Sequence, residues 1–302
     1  MKVLVTGAAG FIGSNVVQEL LDHQYSVVAL DNLSKGYKSR LPRDVTFYEA
    51  DITNSETQRI FQLEQPDYVI HLAAQTSVLN SMENPVEDCR ANVLGTLNTL
   101  KYSNQFNVKK CIIASSAAVY GNPSVFPVEE DSKLCPLSFY GLSKVSAENY
   151  VHLYERMLGL KSCILRFSNV YGSNQESGVI SSFLNNLYKG KAPIIHNGSQ
   201  TRDFIYVKDV ASACLSAMVS YETGVFHISS GTEITINEVY KLISKSTNIE
   251  IEPLLTELDA AEIKRSVLSN EKARRLLYWE PGYSMEEGIG EVIQSYNLVK
   301  HL

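Results

Sequence analysis

The chain has 302 residues, with 27 Lys plus Arg against 33 Asp plus Glu, for a formal net charge of −6. Hydrophobic residues make up 44% and charged residues 20%, which is enough apolar material for one large core or two interlocked lobes and excludes a disordered chain. The mild acidity, with no Lys/Arg run, argues against nucleic acid as a partner. No apolar stretch approaches the ~18 residues that would span a bilayer, so no membrane partner is expected.

Met1-Lys2-Val3-Leu4-Val5 enters a strand pattern with no signal-peptide core, which predicts a cytoplasmic protein. The five cysteines, Cys89, Cys111, Cys135, Cys163 and Cys214, form no C-x-x-C pair and read as reduced thiols used for packing. The six histidines are scattered without ligand spacing, so no metal is expected.

In chain order, residues 2–6, 26–30, 45–48, 68–72, 110–114 and 162–167 read as strands with amphipathic helical patterns between them. Such alternation predicts βαβ units and a doubly wound parallel sheet, the α/β Rossmann arrangement. After residue 168 Gly, Asn and Ser become more frequent, and a smaller, mainly C-terminal substrate-binding lobe is expected to begin. A strand-helix segment at 204–218 and a strand at 225–229 look able to return to the sheet. The expected division is therefore 1–168 with 203–229 as the nucleotide domain, and 169–202 with 230–302 as the lobe.

The first strand runs into Gly7-Ala8-Ala9-Gly10-Phe11-Ile12-Gly13 and then an apolar-periodic helix. Glycines at that spacing let backbone N–H groups approach a pyrophosphate, with the partial positive charge of the helix N-terminus behind them. The second strand ends in Asp31-Asn32, where an acid can accept hydrogen bonds from adenosine ribose hydroxyls and repel a 2′-phosphate. Asp51-Ile52, ending the third strand pattern, could bracket the adenine. NAD is favoured over NADP on these grounds, although Lys35, Lys38 and Arg40 follow closely.

Tyr and Lys at (i, i+4) on a helix place an ammonium beside a phenol, which favours its ionised form. Two pairs occur. Tyr296/Lys300 reads as a solvated helix face. Tyr140/Lys144 opens a helix after the strand that ends in Ser115-Ser116, so a hydroxyl and the pair would meet at the carboxyl edge of the sheet, where ligands bind in open α/β folds.

T-G-x-x-G-x-I-G at 6–13, Asp31-Asn32-Leu33, His71-Leu72-Ala73-Ala74, Ser115-Ser116-Ala117-Ala118-Val119-Tyr120-Gly121, Tyr140-x-x-x-Lys144, Arg166-Phe167-Ser168-Asn169-Val170-Tyr171-Gly172 and Arg202-Asp203-Phe204-Ile205 stand in this order along the chain. Together they resemble the extended short-chain dehydrogenase/reductase superfamily, and within it the nucleotide-sugar 4-epimerases of the UDP-glucose 4-epimerase type. The resemblance reaches Leu276-Leu277 and Trp279-Glu280-Pro281, so it covers almost the whole chain.

It implies Tyr140 as the base on the sugar 4-hydroxyl, Lys144 at the nicotinamide ribose and Ser116 on the reacting oxygen. For NAD it adds Phe11, Ile12, Leu72, Ala73, Ala74 and Asn92 to the residues named above. For a nucleotide-diphosphate sugar it implies Ser77, Asn169, Val179, Arg202, Glu262 and Ser266, with a homodimer as the usual assembly. A small residue at Ser266 implies room for an N-acetyl group, so both UDP-glucose/UDP-galactose and their N-acetylated counterparts are expected substrates. Ala117-Ala118 stand where related dehydratases carry acids. The competing readings are a dehydratase or net oxidoreductase on a related sugar, and a non-catalytic NAD sensor. The chain departs from the pattern in a short 172–178 loop, in Asp259 where an Arg is common, and in Phe139 where a proline is usual.

Overall fold

The computed structural model describes residues 1–256 and 263–300, of which 297–300 without side chains. The nucleotide half comprises β1 (Lys2–Thr6), α1 (Phe11–Asp22), β2 (Ser26–Asp31), β3 (Thr46–Glu49), α2 (Glu56–Glu64), β4 (Tyr68–His71), α3 (Val78–Glu83), α4 (Pro85–Cys89), α5 (Gly95–Gln105), β5 (Lys110–Ser116), α6 (Phe139–Leu158) and β6 (Ser162–Phe167). Then follow β7 (Asn169–Tyr171), α7 (Val179–Tyr188), β8 (Ile194–His196), β9 (Thr201–Arg202), β10 (Phe204–Tyr206), α8 (Val207–Val219) and β11 (Gly224–Ile228). The chain continues through β12 (Ile234–Thr235), α9 (Ile236–Thr247), β13 (Leu254–Thr256), α10 (Glu271–Leu277) and α11 (Met285–Lys300).

The large sheet has seven parallel strands in the order β11-β6-β5-β4-β1-β2-β3. The chain starts in the middle, winds outward through β2 and β3, and returns to place β4 on the other side of β1. That reversal puts the crevice between the carboxyl ends of β1 and β4. Alternation along β1 decides the two faces: Val3 and Val5 join α1 and α8 on one side, while Leu4 joins α2 and α5 on the other. The sheet is buried on both sides, which is why its strands are nearly all apolar.

A third core, built around Phe183, Leu187, Tyr240, Ile243 and Ile289, holds α7, α9 and α11 together as the smaller lobe. Helix α9 starts with a capping box, in which Thr235 and Glu238 satisfy each other's backbone N–H groups. The lobe is not the whole of 230–302. Ala273, Leu277 and Trp279 are buried in the same core as α1 and α8, and the Trp279 indole donates to Asp209 O at 3.1 Å and Ser212 Oγ at 3.0 Å. A helix as short as α10 has too little apolar periodicity to reveal which core it faces.

Strand β11 takes the sheet edge beside β6, whereas β10 pairs with β7 outside the large sheet. Tyr296 is not on a solvated face. Its ring stacks on Tyr188 at 5.8 Å and its hydroxyl donates to Asn185 Oδ1 at 3.1 Å; the side chain of Lys300 lies outside the described residues. Cys111, Cys163 and Cys214 are buried, whereas Cys89 and Cys135 are exposed. Among the described residues no helix is long and apolar enough to cross a membrane.

Candidate active site

The glycine-rich turn is shaped by crowding. Gly7 has φ +68°, and a Cβ there would lie 2.6 Å from Ala73 N; a Cβ on Gly13 would lie 2.0 Å from Gly7 O. Backbone therefore packs directly on backbone where β1 and β4 end and α1 begins. The N-cap of α1 is Gly10, and no side chain caps that first turn, so the N–H groups near Phe11 and Ile12 present partial positive charge. Asp31 is buried, its Oδ2 accepting Ala9 N–H at 3.0 Å and its Oδ1 accepting Leu33 N–H at 2.8 Å.

Asn32 Nδ2 donates to Asp51 Oδ2 at 2.9 Å. Burial pushes the Asp51 carboxyl up, but hydrogen bonds from Thr53 and Asn32 and the charge of Arg90 outweigh it and hold it low. Ile52 is buried beside it, its carbonyl accepting from Asn98 Nδ2 at 3.0 Å. Of the basic residues that follow β2, Lys35 is exposed, Lys38 lies over the Phe47 ring at 5.1 Å, and Arg40 pairs with Glu176 at 2.7 Å.

Thr6 and His71 lock the crevice between β1 and β4. Thr96 Oγ1 donates to Asn92 O at 2.6 Å, so it accepts from His71 Nε2 at 3.0 Å, and His71 Nδ1 accepts from Thr6 Oγ1 at 2.7 Å. Burial, with the charge of Lys144 adding to it, drives His71 down to about 3, so it stays neutral. Thr6 Oγ1 in turn accepts Ala73 N–H at 3.3 Å, fixing the path of Leu72, Ala73 and Ala74, all half-buried.

Asn92, expected as a cofactor contact, has its side chain engaged by protein groups. Its Oδ1 accepts Gln75 N–H at 2.9 Å, and its Nδ2 donates to Gln75 O at 3.0 Å, Ser143 Oγ at 3.0 Å and Asp88 Oδ1 at 3.1 Å. The side chain is 1% exposed, and its two bonds to Gln75 fix the loop after β4.

Ser116, Tyr140 and Lys144 come together. Ser138 Oγ accepts Gly141 N–H at 3.0 Å and starts α6. A Cβ on Gly141 would lie 2.6 Å from Ala118 O, so this glycine lets the first turn of α6 press against the turn that follows β5. The Tyr140 hydroxyl thereby comes near enough to Ser116 for that side chain to lower its pKa, and Ser116 Oγ accepts Ala118 N–H at 3.2 Å. Lys144 Nζ donates to Ala114 O at 3.1 Å and lies 5.9 Å from the Tyr140 ring centroid. Burial pulls Lys144 down to about 8, against the pull of Asp88 and Glu148. Burial raises Tyr140, the Ser116 hydrogen bond lowers it, and Asp88 raises it further.

Ser115 points to the other side of β5 and donates to Glu148 Oε1 at 2.5 Å. Glu148 pairs with Arg166 at 2.6 Å, and Arg166 contacts the Tyr120 hydroxyl. His227 Nδ1 donates to Ser269 O at 2.9 Å, so its Nε2 accepts from Tyr120 at 2.6 Å. Burial pushes His227 down to about 3. Sequence reading assigned no role to His71, Asp88, Glu148 or His227. Asp88 had a signal, since it stands four residues before Asn92 on one helix face.

On the lobe side, Ser77 Oγ caps α3 by accepting Asn80 N–H at 3.1 Å. Asn169 is exposed at the start of β7, and Val179 is half-buried in the first turn of α7. Arg202 Nη1 donates to Thr201 O at 2.9 Å, while its neighbour Asp203 turns inward to accept from Ser168 and Ser230. Ser266 is half-buried. Glu262 and Asp259 lie outside the described residues.

Comparison with known proteins agrees with this geometry. The model of the NAD dependent epimerase/dehydratase family matches residues 3–229. A putative UDP-glucose 4-epimerase of Methanocaldococcus jannaschii is 41% identical over 297 residues, covering 96% of this chain and 97% of that one. The crystal structure of UDP-glucose 4-epimerase from Thermotoga maritima with UDP-glucose superposes with a TM-score of 0.96 at 39% identity, covering 99% of this chain and 100% of the other. That of Thermus thermophilus UDP-glucose 4-epimerase with NAD gives 0.93 at 35% identity, covering 98% and 99%. The chain belongs to the NAD dependent epimerase/dehydratase family, among the nucleotide-sugar epimerases of the extended short-chain dehydrogenase/reductases.

Proposed function

We propose that the protein inverts C4 of a UDP-hexose with NAD as its resident cofactor, interconverting UDP-glucose with UDP-galactose and accepting the N-acetylated pair as well. The observation that carries this reading is the gathering of Ser116, Tyr140 and Lys144 at the carboxyl edge of the sheet, with Lys144 Nζ 5.9 Å from the Tyr140 ring centroid and Ser116 near enough to act on the Tyr140 hydroxyl. The names of the Thermotoga and Thermus enzymes support it.

The cradle fits a dinucleotide, because Gly7 and Gly13 leave no room for side chains and the first turn of α1 has no side-chain cap. Gly7, Gly10, Phe11, Ile12 and Gly13 would hold the pyrophosphate. Asp31, Asn32, Asp51 and Ile52 would surround the adenosine, with Leu72, Ala73 and Ala74 along the exit of β4. Tyr140 and Lys144 would hold the nicotinamide ribose. When bound, NAD supplies the hydride acceptor and donor for C4.

Tyr140 Oη takes the proton of the sugar 4-hydroxyl and later gives it back. Lys144 makes that possible by placing positive charge beside a phenol whose ordinary pKa is ~10. Ser116 Oγ holds the reacting oxygen. Inversion requires the 4-keto sugar to turn and present its other face between the two hydride steps. Arg202 would hold the diphosphate through charge-assisted hydrogen bonds, with Asn169 and Val179 beside it. Ser77, Glu262 and Ser266 complete the proposed sugar and nucleotide contacts.

Homodimerisation is part of the proposal. Leu142, Leu153 and Met157 on α6 and Val86 on α4 are exposed, and Pro85, Val86, Cys89, Val93 and Leu94 line an apolar groove on the same side. Two copies pairing these helices would cover both faces.

The test is to incubate the purified protein with UDP-glucose and with UDP-N-acetylglucosamine and follow the sugar by NMR. The C4 epimer should appear with no stoichiometric NADH and no loss of the 6-hydroxyl. NADH release, or loss of that hydroxyl, overturns the reading in favour of a net oxidoreductase or a dehydratase.

A further inference from the structure

The helix running from Pro85 to Gln105 contains a π turn at Arg90–Leu94, just beyond Asp88. Asp88 is 1% exposed. Its Oδ1 accepts from Gln75 Nε2 at 2.8 Å and Asn92 Nδ2 at 3.1 Å. Its Oδ2 has no hydrogen-bond partner among the described residues. A buried carboxylate left half-satisfied is costly unless a cation answers it.

The cation at hand is Lys144, which is also buried. Asn92 bonds Ser143 Oγ at 3.0 Å, and Ser143 Oγ bonds Tyr140 O at 3.0 Å, so the amide that grips Asp88 also ties it to the first turn of α6. Acid and cation are thus both buried and anchored to the same first turn of α6, in a low-dielectric interior where charge acts at longer range than in water.

We infer that Asp88 is a positioning residue that acts through its charge, holding Lys144 protonated and keeping the Tyr140 phenol able to recover its proton. The inference rests on Tyr140 being the base. Lys144 and a positive nicotinamide both favour the phenolate, and a base that must act as an acid half a cycle later works best when its pKa lies near the working pH. Asp88 is the counterweight. The other titratable groups near the pair are Glu148 on α6, which also raises Lys144 but is paired with Arg166 on β6 at 2.6 Å, and His71 on β4, which stays uncharged. The acid pushes both Tyr140 and Lys144 upward.

The test is the pH profile of kcat. Asp88→Asn removes the charge and keeps the shape, so both limbs of the bell should move toward acid by about one pH unit, because both groups lose the same upward push. Asp88→Glu keeps the charge and should leave the limbs in place even where the maximum falls. A lower maximum in Asp88→Asn with unmoved limbs means a purely structural role and overturns the inference. If that variant does not fold, the 13C carboxyl signal of labelled Asp88 in the unaltered protein decides: a carboxylate signal over the working pH range supports the inference, and a neutral acid overturns it. Failure of the unaltered protein to turn over any UDP-sugar would instead remove the proposed function.

Discussion

The Asp31 carboxylate accepts the Ala9 amide hydrogen at 3.0 Å, so the acid that ends β2 braces the glycine-rich turn that ends β1. In the proposed site this fixed, buried acid meets the adenosine ribose and should favour NAD over NADP by about 1–3 kcal/mol, through repulsion of the 2′-phosphate. Calorimetry with each cofactor measures it, and equal affinities would refute the role given to Asp31. Asp31→Asn should erase the preference. It should also cost about 1–3 kcal/mol of stability, because an amide turns an NH2 group toward one of the two N–H donors that Asp31 now satisfies.

In the proposed mechanism, Tyr140→Phe deletes only the hydroxyl that exchanges the proton. Turnover should fall at least ~100-fold while NAD binding is largely kept. Ser116→Ala should do less, since water can take over part of its hydrogen bond. Tyr296→Phe should leave turnover nearly unchanged and cost about 1 kcal/mol in unfolding, because its hydroxyl serves Asn185 within the lobe. If Tyr296→Phe alone abolished activity, the choice between the two Tyr/Lys pairs would be wrong.

His227 links Tyr120 to Ser269, and burial lowers it from 6.5 to about 3. Its folded pKa lies below its unfolded one, so the unfolded chain binds the extra proton between those values. Stability from this residue is therefore whole above pH 6.5 and is lost as pH falls. At pH 5 the loss is about 2 kcal/mol, the 1.5-unit gap multiplied by ~1.4 kcal/mol per unit. Denaturant unfolding at pH 7 and pH 5 checks it: the drop between the two should be smaller by about that amount in His227→Gln than in the unaltered protein. Equal drops would mean that His227 is protonated in the folded state or exposed.

The sheet was legible because parallel strands buried on both faces leave an unmistakable apolar signature, and so was the meeting of Ser116, Tyr140 and Lys144, because a strand end and an (i, i+4) pair on the next helix fix where those residues lie. Other parts were hidden for physical reasons. Asn92 matched a family position, yet its role depends on where the loop at Gln75 turns, which no spacing reveals. Trp279 and α10 join the sheet core through a short apolar stripe that could equally have served the lobe. Tyr296 looked solvated because its partners, Tyr188 and Asn185, lie more than a hundred residues away in sequence. His227 carried no motif, and its place follows only from the pairing of β11 with β6.

The size of the sugar pocket is tested at Ser266. This residue is half-buried between Lys264, whose carbonyl accepts Thr201 N–H at 3.0 Å, and Val267, whose carbonyl accepts Val128 N–H at 3.0 Å. Those two bonds fix the backbone on either side, and Arg265 is held outside by Glu233 at 2.5 Å and by the Phe126 ring at 4.6 Å. A side chain placed at 266 therefore has little freedom to swing away. Serine is small, so an N-acetyl group at C2 should fit beside it, and UDP-N-acetylglucosamine should be turned over alongside UDP-glucose. Ser266→Tyr should separate the two: turnover of the acetylated sugar should drop sharply while that of UDP-glucose is spared, because added volume at a constrained, packed position is not easily relieved. The ratio of kcat/KM for the two sugars is the readout. A parallel fall for both, or no change in either, takes Ser266 out of the pocket and the broad substrate range with it.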